Sequence, residues 1–360
     1  MKYFIIAGEA SGDLHGANLI RAIKEKDAQA EFAFWGGDQM AEASKTEPLK
    51  HISELAFMGF VEVLANLKTI LANFKLCEKH IQEFEPNKVI LIDYPGFNLR
   101  MAKHIKSINL PVIYYISPQV WAWKENRVKK IKQYVDQMLC ILPFEKAFYQ
   151  KWNYETAYVG HPLLDVVAQF QAAVEKIDNA PIALIPGSRK QEIAKMLPIM
   201  LKTATKFPNE NFIVTGAPAI NESFYYQFQL PDNVQIMFGQ THQIMHKAKA
   251  ALVTSGTATL ETALFNTPEV VCYKGNYISY LLAKQLVKIK YISLVNLIMD
   301  KEVVKELIQG DFTAKNCIAE LQKLLSQQGR ATMLAEYKTL RTKLGGVGAS
   351  ARAAELIVGR

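Results

Sequence analysis

The sequence predicts an α/β protein built from two doubly wound, Rossmann-like domains. Short apolar runs bounded by glycine, proline or aspartate alternate along the chain with longer segments in which apolar residues recur at helical spacing. This alternation stops at the polar stretch 169–180 and then starts again, which indicates a linker between two domains. A chain of 360 residues is also long for a single hydrophobic core. Alternating strands and helices of this kind form parallel sheets with helices on both faces.

The first predicted domain covers residues 1–168. Lys2–Ala7 is an apolar strand that runs into a glycine-containing turn, Gly8–Asp13, and then into a helix. These three elements open a βαβ unit, whose turn lies at the ligand-binding edge of the sheet. The further predicted strands are Glu31–Trp35, Lys88–Ile92, Pro111–Ile116, Asp136–Leu142 and Tyr158–Val159.

The second predicted domain covers residues 178–345. Its predicted strands are Pro181–Ile185, Phe212–Thr215, Val234–Phe238, Ala251–Thr254 and Val270–Tyr273. Gly346–Ala351 fits the pattern G-x-G-x-x-A, but it follows a charged helical segment and not a strand, so we do not interpret it as a dinucleotide-binding turn. We expect it to end one helix and to begin the last one, Ala351–Ile357.

Composition places the chain among globular proteins with an anionic partner. Half of the residues are hydrophobic and 21% are charged, and the formal net charge is +8. The cysteines Cys77, Cys140, Cys272 and Cys317 are far apart, which predicts reduced thiols in a cytoplasmic protein. We expect neither a signal peptide nor a membrane-spanning segment, so any membrane contact would be peripheral. Nucleic acid is a poor candidate partner, because aromatic residues are not interleaved with the basic ones.

Two carboxylates follow predicted strands of the first domain. Asp93 comes directly after Lys88–Ile92, so it would point into the crevice where parallel sheets bind ligands, and it is a candidate general base. It could equally cap the next helix. Glu9 and Asp13 flank the first turn, where they could cap the first helix or face a substrate.

The second domain contains a candidate phosphate site at Ser255, Gly256 and Thr257. A strand breaks there into a helix through small residues, and a helix N-terminus offers unpaired N–H groups and a partial positive charge. Glu261, one turn later, could accept hydrogen bonds from ribose hydroxyls. An ordinary strand-to-helix turn would have the same residues.

Arg189, beside Ser188, is the other candidate anion-binding residue. A cation is disfavoured at the positive end of a helix, so its position there is better explained if an anion binds beside it.

Two segments could meet a membrane surface. Apolar residues recur at helical spacing from Phe57 to Phe74, which is typical of a core helix and also of a lipid-facing one. Lys124–Lys132 is strongly basic, as expected of a solvated helix face or of a patch that binds anionic headgroups.

Seven motifs are spread over nearly the whole chain. They are Gly8–Asp13 (GEASGD), Ile92–Asn98 (IDYPGFN), Ser117–Trp123 (SPQVWAW), Leu142–Tyr149 (LPFEKAFY), Val159–Asp165 (VGHPLLD), Ile185–Ile193 (IPGSRKQEI) and Thr254–Leu264 (TSGTATLETAL). Their order and spacing closely resemble those of the lipid A disaccharide synthase family.

This resemblance implies a glycosyltransferase B (GT-B) fold. The C-terminal domain would bind the nucleotide-sugar donor and the N-terminal domain the acceptor, and the C-terminal helix within 346–360 would cross back to the first domain. The implied reaction is an inverting transfer from UDP-2,3-diacylglucosamine to the 6-hydroxyl of 2,3-diacylglucosamine 1-phosphate (lipid X). The products would be a β-1,6-linked disaccharide 1-phosphate and UDP, made by an enzyme attached peripherally to the cytoplasmic face of the inner membrane.

The resemblance also assigns roles to single residues. Asp93 matches the family's proposed catalytic aspartate, and Glu9 and Asn296 match positions important for activity. Asn296 alone would be read as a polar loop or capping residue. The donor would be held by Ser188, Arg189, Ser255, Gly256, Thr257, Glu261 and Asn296, with no cofactor. We expect no metal site, because the chain has no Asp-x-Asp pair.

Some features leave alternatives open. Many family members have a second aspartate where this chain has Gly96, and Gly37–Met40 replaces a common glycine-proline-arginine-methionine turn. Another UDP-sugar enzyme of the same fold, such as an epimerase or a transferase with a soluble acceptor, is the main alternative. A peripheral membrane protein that binds a nucleotide sugar or lipid without turnover is a second alternative. A homodimer is compatible with the sequence, and composition does not decide it.

Overall fold

The computed structural model describes residues 1–55, 67–171, 180–276 and 289–359. The chain divides into two compact units. The first comprises Met1–Pro162 and Val347–Arg360, and the second comprises Leu163–Gly346. The boundary between the units thus lies after Pro162, whereas the sequence predicts that the first domain continues to residue 168.

The first unit contains a seven-stranded parallel sheet in the order β3-β2-β1-β4-β5-β6-β7. Its strands are β1 (Lys2–Ala7), β2 (Glu31–Gly36), β3 (Lys50–His51), β4 (Lys88–Ile92), β5 (Val112–Tyr115), β6 (Gln137–Cys140) and β7 (Ala157–Tyr158). Its helices are α1 (Ala10–Lys26), α2 (Asp38–Ser44), α3 (Leu67–Phe84), α4 (Pro95–Ser107), α5 (Val128–Tyr134) and α6 (Glu145–Gln150). Short 3-10 helices cover Ile52–Glu54 and Glu125–Arg127.

The second unit contains a six-stranded parallel sheet in the order β10-β9-β8-β11-β12-β13. Its strands are β8 (Ile182–Ile185), β9 (Phe212–Gly216), β10 (Val234–Phe238), β11 (Ala250–Thr254), β12 (Glu269–Tyr273) and β13 (Lys305–Ile308). Its helices are α7 (Leu163–Gln171), α8 (Lys190–Ala204), α9 (Thr241–Lys247), α10 (Thr257–Leu264), α11 (Leu294–Met299), α12 (Ala314–Leu325) and α13 (Gln327–Leu344), with a 3-10 helix at Glu222–Gln227.

Apart from Lys2 and Lys88 at their first positions, the central strands β1, β4 and β8 are apolar along their whole length. In β1 the residues from Tyr3 to Ala7 are buried, and in β4 and β8 every residue is buried. Strands covered on both faces need such continuous apolar runs. This is why the pattern of the sequence located them correctly.

The last helix, α14 (Ala349–Val358), belongs to the first unit. It packs against α1. The Lys88 side chain donates to the carbonyl of Ile357 at 2.5 Å, and Arg352 Nε donates to the carbonyl of Val159 at 2.8 Å. The chain therefore returns to its first unit after completing the second.

Two strands were missing from the sequence prediction. β3 is only two residues long, and β13 contains Lys305 and Glu306 within four residues. Both lie at sheet edges, where one side of the strand needs no apolar cover, so neither has the apolar run that identifies the central strands. The predicted linker falls largely on 172–179, outside the described residues.

In the part of the chain that the structure describes, no helix is both long and apolar enough to cross a membrane. The cysteines Cys77, Cys140, Cys272 and Cys317 are all free and buried.

Candidate functional site

The first unit has a topological switch point between β1 and β4. From β1 the sheet continues through β2 in one direction, and from β4 it continues through β5 in the other. Loops that leave the carboxyl ends of two such strands diverge and open a crevice where ligands bind. Glu9 follows β1 and Asp93 follows β4, so the structure brings these two carboxylates to the same crevice.

Asp93 has the properties of a base. The pKa of its carboxyl is raised from 3.8 to about 7, mainly by burial and also by the nearby Glu9, while the Tyr94 N–H has the opposite effect. The capping alternative is not what the structure adopts, because Tyr94 occupies the N-cap position of α4 and no side chain caps that helix. Asp93 is thus a partly buried carboxyl that does not cap the following helix.

The backbone at Asp93 is unusual and firmly held. Asp93 and Tyr94 have φ of +41° and +46°, in the left-handed region that few non-glycine residues occupy. The Asn98 side-chain amide donates to the carbonyl of Asp93 at 2.9 Å, and the Tyr114 hydroxyl donates to the same oxygen at 2.5 Å. A side chain at Gly8 would strike the ring of Tyr94, so glycine is needed where the two loops meet.

Asn98 and Tyr114 were not singled out by sequence reasoning. Asn98 is the last residue of the motif Ile92–Asn98, and its position one turn after Pro95 is the feature of the sequence that could have identified it. Tyr114 is one apolar strand residue among several. Their contacts with Asp93 depend on three-dimensional packing that the sequence does not display.

Glu9 is exposed at the carboxyl edge of the sheet. It occupies the N-cap position of α1, yet its side chain makes no capping hydrogen bond. Asp13 instead has a structural role, because its buried carboxylate accepts hydrogen bonds from the N–H groups of Gly37, Gln39 and Met40 at 2.7 to 3.1 Å. Of the two acids that flank the turn, Glu9 is therefore the one available to a ligand.

The second unit has its own switch point, between β8 and β11. Ser188 and Arg189 follow β8, and Ser255, Gly256 and Thr257 follow β11. Because these strands are hydrogen-bonded neighbours, the two groups of predicted anion-binding residues lie at one edge of the sheet. The sequence suggested each group separately, and the topology places them side by side.

Arg189 lies at the N-cap of α8 with its side chain 56% exposed. Its Nη1 is 3.0 Å from Oε1 of Glu192, whose other oxygen accepts the Ser188 N–H at 3.2 Å. An anion does therefore lie beside this cation, and it is supplied by the protein itself. The exposed guanidinium remains accessible to a second anion.

The N-terminus of α10 is open to solvent. Gly256 is its N-cap, no side chain caps the helix, and both Gly256 and Thr257 are exposed. A Cβ at Gly256 would meet no atom within 4 Å. The Ser255 side chain is held by a hydrogen bond, since its hydroxyl donates to the carbonyl of Ile292 at 3.3 Å. The first turn of α10 can therefore be approached by a phosphate.

Glu261 lies one turn into α10 with its side chain 18% exposed, and its Oε1 is 3.8 Å from Nε2 of His242. This position leaves the carboxylate partly accessible.

Asn296 is completely buried and fully hydrogen-bonded. Its amide nitrogen donates to the carbonyl of Val304 and to Glu306 at 2.9 Å each, and its oxygen accepts the N–H groups of Val303 and Val304. In this arrangement its amide has no capacity left for a ligand. We therefore expect Asn296 to affect binding through the loop that it holds.

The two predicted membrane-facing segments are described to different extents. Residues 56–66, which include most of the apolar stripe, lie outside the described residues. In α3, Leu71 is 51% exposed, whereas the ring of Phe74 stacks on Phe97 with centroids 4.4 Å apart. The segment 124–132 exposes its lysines and buries Val128 and Ile131.

An exposed tryptophan precedes the basic segment. Trp123 is 43% exposed, and the Lys124 Nζ and the Arg127 guanidinium lie 4.3 and 5.3 Å from its ring centroids. The aromatic and cationic groups thus form one surface.

Among the described residues, no three His, Cys, Asp or Glu side chains are arranged to hold a metal ion.

Comparison with known proteins gives consistent matches over almost the full length. The family model described as lipid-A-disaccharide synthetase matches residues 3–358. The chain is 40% identical over 367 residues to the lipid-A-disaccharide synthase of Syntrophus aciditrophicus, covering 97% of this chain and 95% of that protein. It is 38% identical over 373 residues to the enzyme of the same name from Trichlorobacter lovleyi, covering 99% and 97%.

Solved structures agree on the fold. A glycosyltransferase of kitacinnamycin superposes with a TM-score of 0.68 at 13% identity, covering 99% of this chain and 98% of that one. The UDP-GlcNAc 2-epimerase of Methanocaldococcus jannaschii also gives 0.68, at 11% identity and full coverage of both chains. The predicted GT-B fold is thereby confirmed. By its family match and its relatives, the chain belongs to the lipid-A-disaccharide synthetase family and is a glycosyltransferase of GT-B fold.

Proposed function

We propose that this enzyme transfers 2,3-diacylglucosamine from its UDP derivative to the 6-hydroxyl of 2,3-diacylglucosamine 1-phosphate, with inversion at the anomeric carbon. The products are a β-1,6-linked disaccharide 1-phosphate and UDP. Family membership supports the disaccharide-forming reaction. The observation that carries the mechanism is the Asp93 carboxyl, raised in pKa to about 7 at the switch point of the first unit.

Asp93 acts as the general base. As the acceptor oxygen forms its bond to the anomeric carbon, the hydroxyl proton passes to the Asp93 carboxylate, and the bond from that carbon to the β-phosphate breaks. A base is most effective when its pKa lies near the working pH, which burial and Glu9 achieve here. The negative charge of Glu9 also favours the protonated form of Asp93 once the transfer is complete.

Residues of the second unit hold the donor and stabilise its leaving group. UDP departs with growing negative charge on its β-phosphate, and Arg189, Ser188 and the open N-terminus of α10 supply positive charge and hydrogen-bond donors. Glu261 accepts hydrogen bonds from the ribose hydroxyls, and Asn296 contributes by holding the loop that anchors Ser255. In this proposal the reaction uses neither a metal ion nor a cofactor.

The acylated substrates place the enzyme at a membrane surface. We assign acceptor binding to the first unit and donor binding to the second, with peripheral attachment to the cytoplasmic face of the inner membrane. The surface formed by Trp123 and the lysines of 124–132 suits anionic headgroups, because tryptophan is favoured at membrane interfaces and the cations attract the lipid.

Mass spectrometry of the reaction mixture tests the proposal. The purified protein is incubated in detergent with UDP-2,3-diacylglucosamine and lipid X, with a chelator present. We expect a tetra-acylated disaccharide monophosphate and UDP in equal amounts. Conversion of the donor to an epimer without the acceptor, or release of UDP only with a soluble acceptor, would contradict it. Binding of UDP without any product from folded protein would favour a non-catalytic role.

A further inference from the structure

The switch point of the first unit contains a strained segment that needs support. Asp93 and Tyr94 are consecutive non-glycine residues with positive φ, a conformation that persists only where the surrounding structure enforces it. Neither of the two residues with positive φ is a glycine, which would adopt this conformation at little cost. Pro95 and Gly96 follow them and already belong to α4. Other groups must therefore hold the backbone that carries the Asp93 carboxyl.

Two fully buried side chains supply that support. The Asn98 amide nitrogen lies 2.9 Å from the carbonyl oxygen of Asp93, 3.1 Å from that of Ile92 and 3.4 Å from that of Ile6. An amide has two hydrogens, so three carbonyls share them. The Tyr114 hydroxyl adds a second donor to the Asp93 oxygen.

These contacts join the two strands that define the switch point. Ile6 belongs to β1, whose loop carries Glu9, and Ile92 belongs to β4, which ends at Asp93. One amide group therefore links the backbones beneath both carboxylates. A change at Asn98 would alter the position of Asp93 and its separation from Glu9 together.

The amide is present for its N–H groups and not for its oxygen. Asn98 Oδ1 is buried and has no hydrogen-bond partner among the described residues. A buried unpaired acceptor is costly, and an apolar residue of similar size would avoid that cost. An asparagine at this position is explained if the donor contacts with the three carbonyls are what the site requires.

We propose that Asn98, assisted by the Tyr114 hydroxyl, is a positioning residue that orients the Asp93 carboxylate for proton transfer. The inference rests on the role of Asp93 proposed above. Neither Asn98 nor Tyr114 touches the substrate in this account. Both act through the Asp93 backbone, and small misplacements of a reacting group are enough to slow catalysis strongly.

The surroundings of Asp93 give a readout that a purely structural role would not move. Glu9 in the neighbouring loop is the charged group that raises the pKa of Asp93, and the backbone N–H of Tyr94 lowers it. Burial and, after it, Asp93 raise the pKa of the Tyr114 hydroxyl on β5. Burial is the main cause of the raised pKa and Glu9 is the second. If the support is removed, water reaches the carboxyl and it separates from Glu9, so its pKa falls toward the ordinary value.

The test compares Asn98→Ala with Asn233→Ala. Asn233 is a matched control, because its amide nitrogen also donates to three backbone carbonyls, those of Ala204, Phe207 and Glu210, in the second unit. For Asn98→Ala we expect kcat to fall about 10- to 100-fold, with unchanged UDP affinity and with the acid limb of the pH profile displaced to lower pH. For Asn233→Ala we expect near-normal kcat and an unmoved limb.

A second pair keeps the inference testable if Asn98→Ala does not fold. Tyr114→Phe removes one hydroxyl, and Tyr3→Phe removes a hydroxyl from another buried strand tyrosine, which lies near the amino ends of the strands of the same sheet. Only Tyr114→Phe should displace the acid limb. An unmoved limb in every folded variant of Asn98 and Tyr114 would overturn the inference. Full activity of Asp93→Asn would instead overturn the proposed base, so the two failures can be told apart.

Discussion

The acid limb of the pH profile should report the ionisation of Asp93. With a pKa of about 7, about half of these carboxyls are ionised at pH 7, about a tenth at pH 6 and about a hundredth at pH 5. Since the base must be ionised to accept a proton, kcat/KM should fall about tenfold between pH 6 and pH 5. A carboxyl with the ordinary pKa of 3.8 would leave activity at pH 5 close to its maximum.

Glu9→Gln separates the two causes of the raised pKa. It removes a negative charge next to Asp93 but leaves the burial, which is the larger cause. The acid limb should therefore move to lower pH without reaching the ordinary range. The assay is release of UDP measured from pH 5 to pH 8, in detergent, for the wild type and the variant.

Other titrating groups of the first unit require controls. Burial also raises the pKa of Glu145 to about 7, although the N–H groups of Leu142 and Ile141 and the Trp121 indole lower it. Glu145→Gln should leave the acid limb where it is in the wild type. If Glu145→Gln moves the limb and Glu9→Gln does not, the assignment of the limb to Asp93 is refuted.

Loss of folding must also be excluded at low pH. Asp93 is more easily protonated in the folded than in the unfolded chain, so its contribution to stability is complete below pH 3.8 and is lost as pH rises through 7. His161 acts oppositely, because burial and the neighbouring His15 lower its pKa to about 3, and stability is lost as pH falls from 6.5 toward that value. Circular dichroism over the assay range should find the protein folded where activity declines.

Three further changes test other parts of the account. Arg189→Ala should lower kcat/KM about 10²- to 10³-fold, because it removes positive charge at the departing phosphate; the exposed Lys195→Ala on the same helix should not. Replacing Lys129 and Lys130 with alanine should weaken binding to anionic vesicles about 10- to 30-fold, at about 1 kcal/mol per lysine, with no change on zwitterionic vesicles; equal loss on both would contradict an electrostatic contact. Gly96→Asp should raise the urea-derived free energy of unfolding by about 0.3–1 kcal/mol, since a carboxylate joins the first turn of α4 and a Cβ there meets no atom within 4 Å; a decrease would contradict that reasoning.

Much of the fold could be predicted because the central strands are continuous apolar runs that end at turn residues. The edge strands β3 and β13 could not, since polar residues are tolerated there. Asp93 was identifiable because an acid that follows a buried parallel strand lies at the ligand-binding edge. The sequence could not indicate which strands are neighbours, so the pairing of Glu9 with Asp93 required the sheet order.

Other features of the site depend on side-chain packing. The sequence suggested an external anion for Arg189, but Glu192 in the first turn of the same helix already pairs with it. The complete burial of Asn296 was also not visible in its polar, loop-like surroundings. The supporting contacts of Asn98 arise from carbonyls on β1 and β4, which are far apart in the chain and adjacent only in the sheet.

The most direct test of the central claim measures turnover and UDP affinity in the same preparation of Asp93→Asn. We expect kcat to fall about 10²- to 10⁴-fold, because the general base is lost. UDP should bind as it does to the wild type, because its proposed ligands lie in the second unit. Near-normal turnover in the folded variant would contradict the assignment of Asp93 as the base, and parallel loss of turnover and UDP binding would contradict the division of roles between the two units.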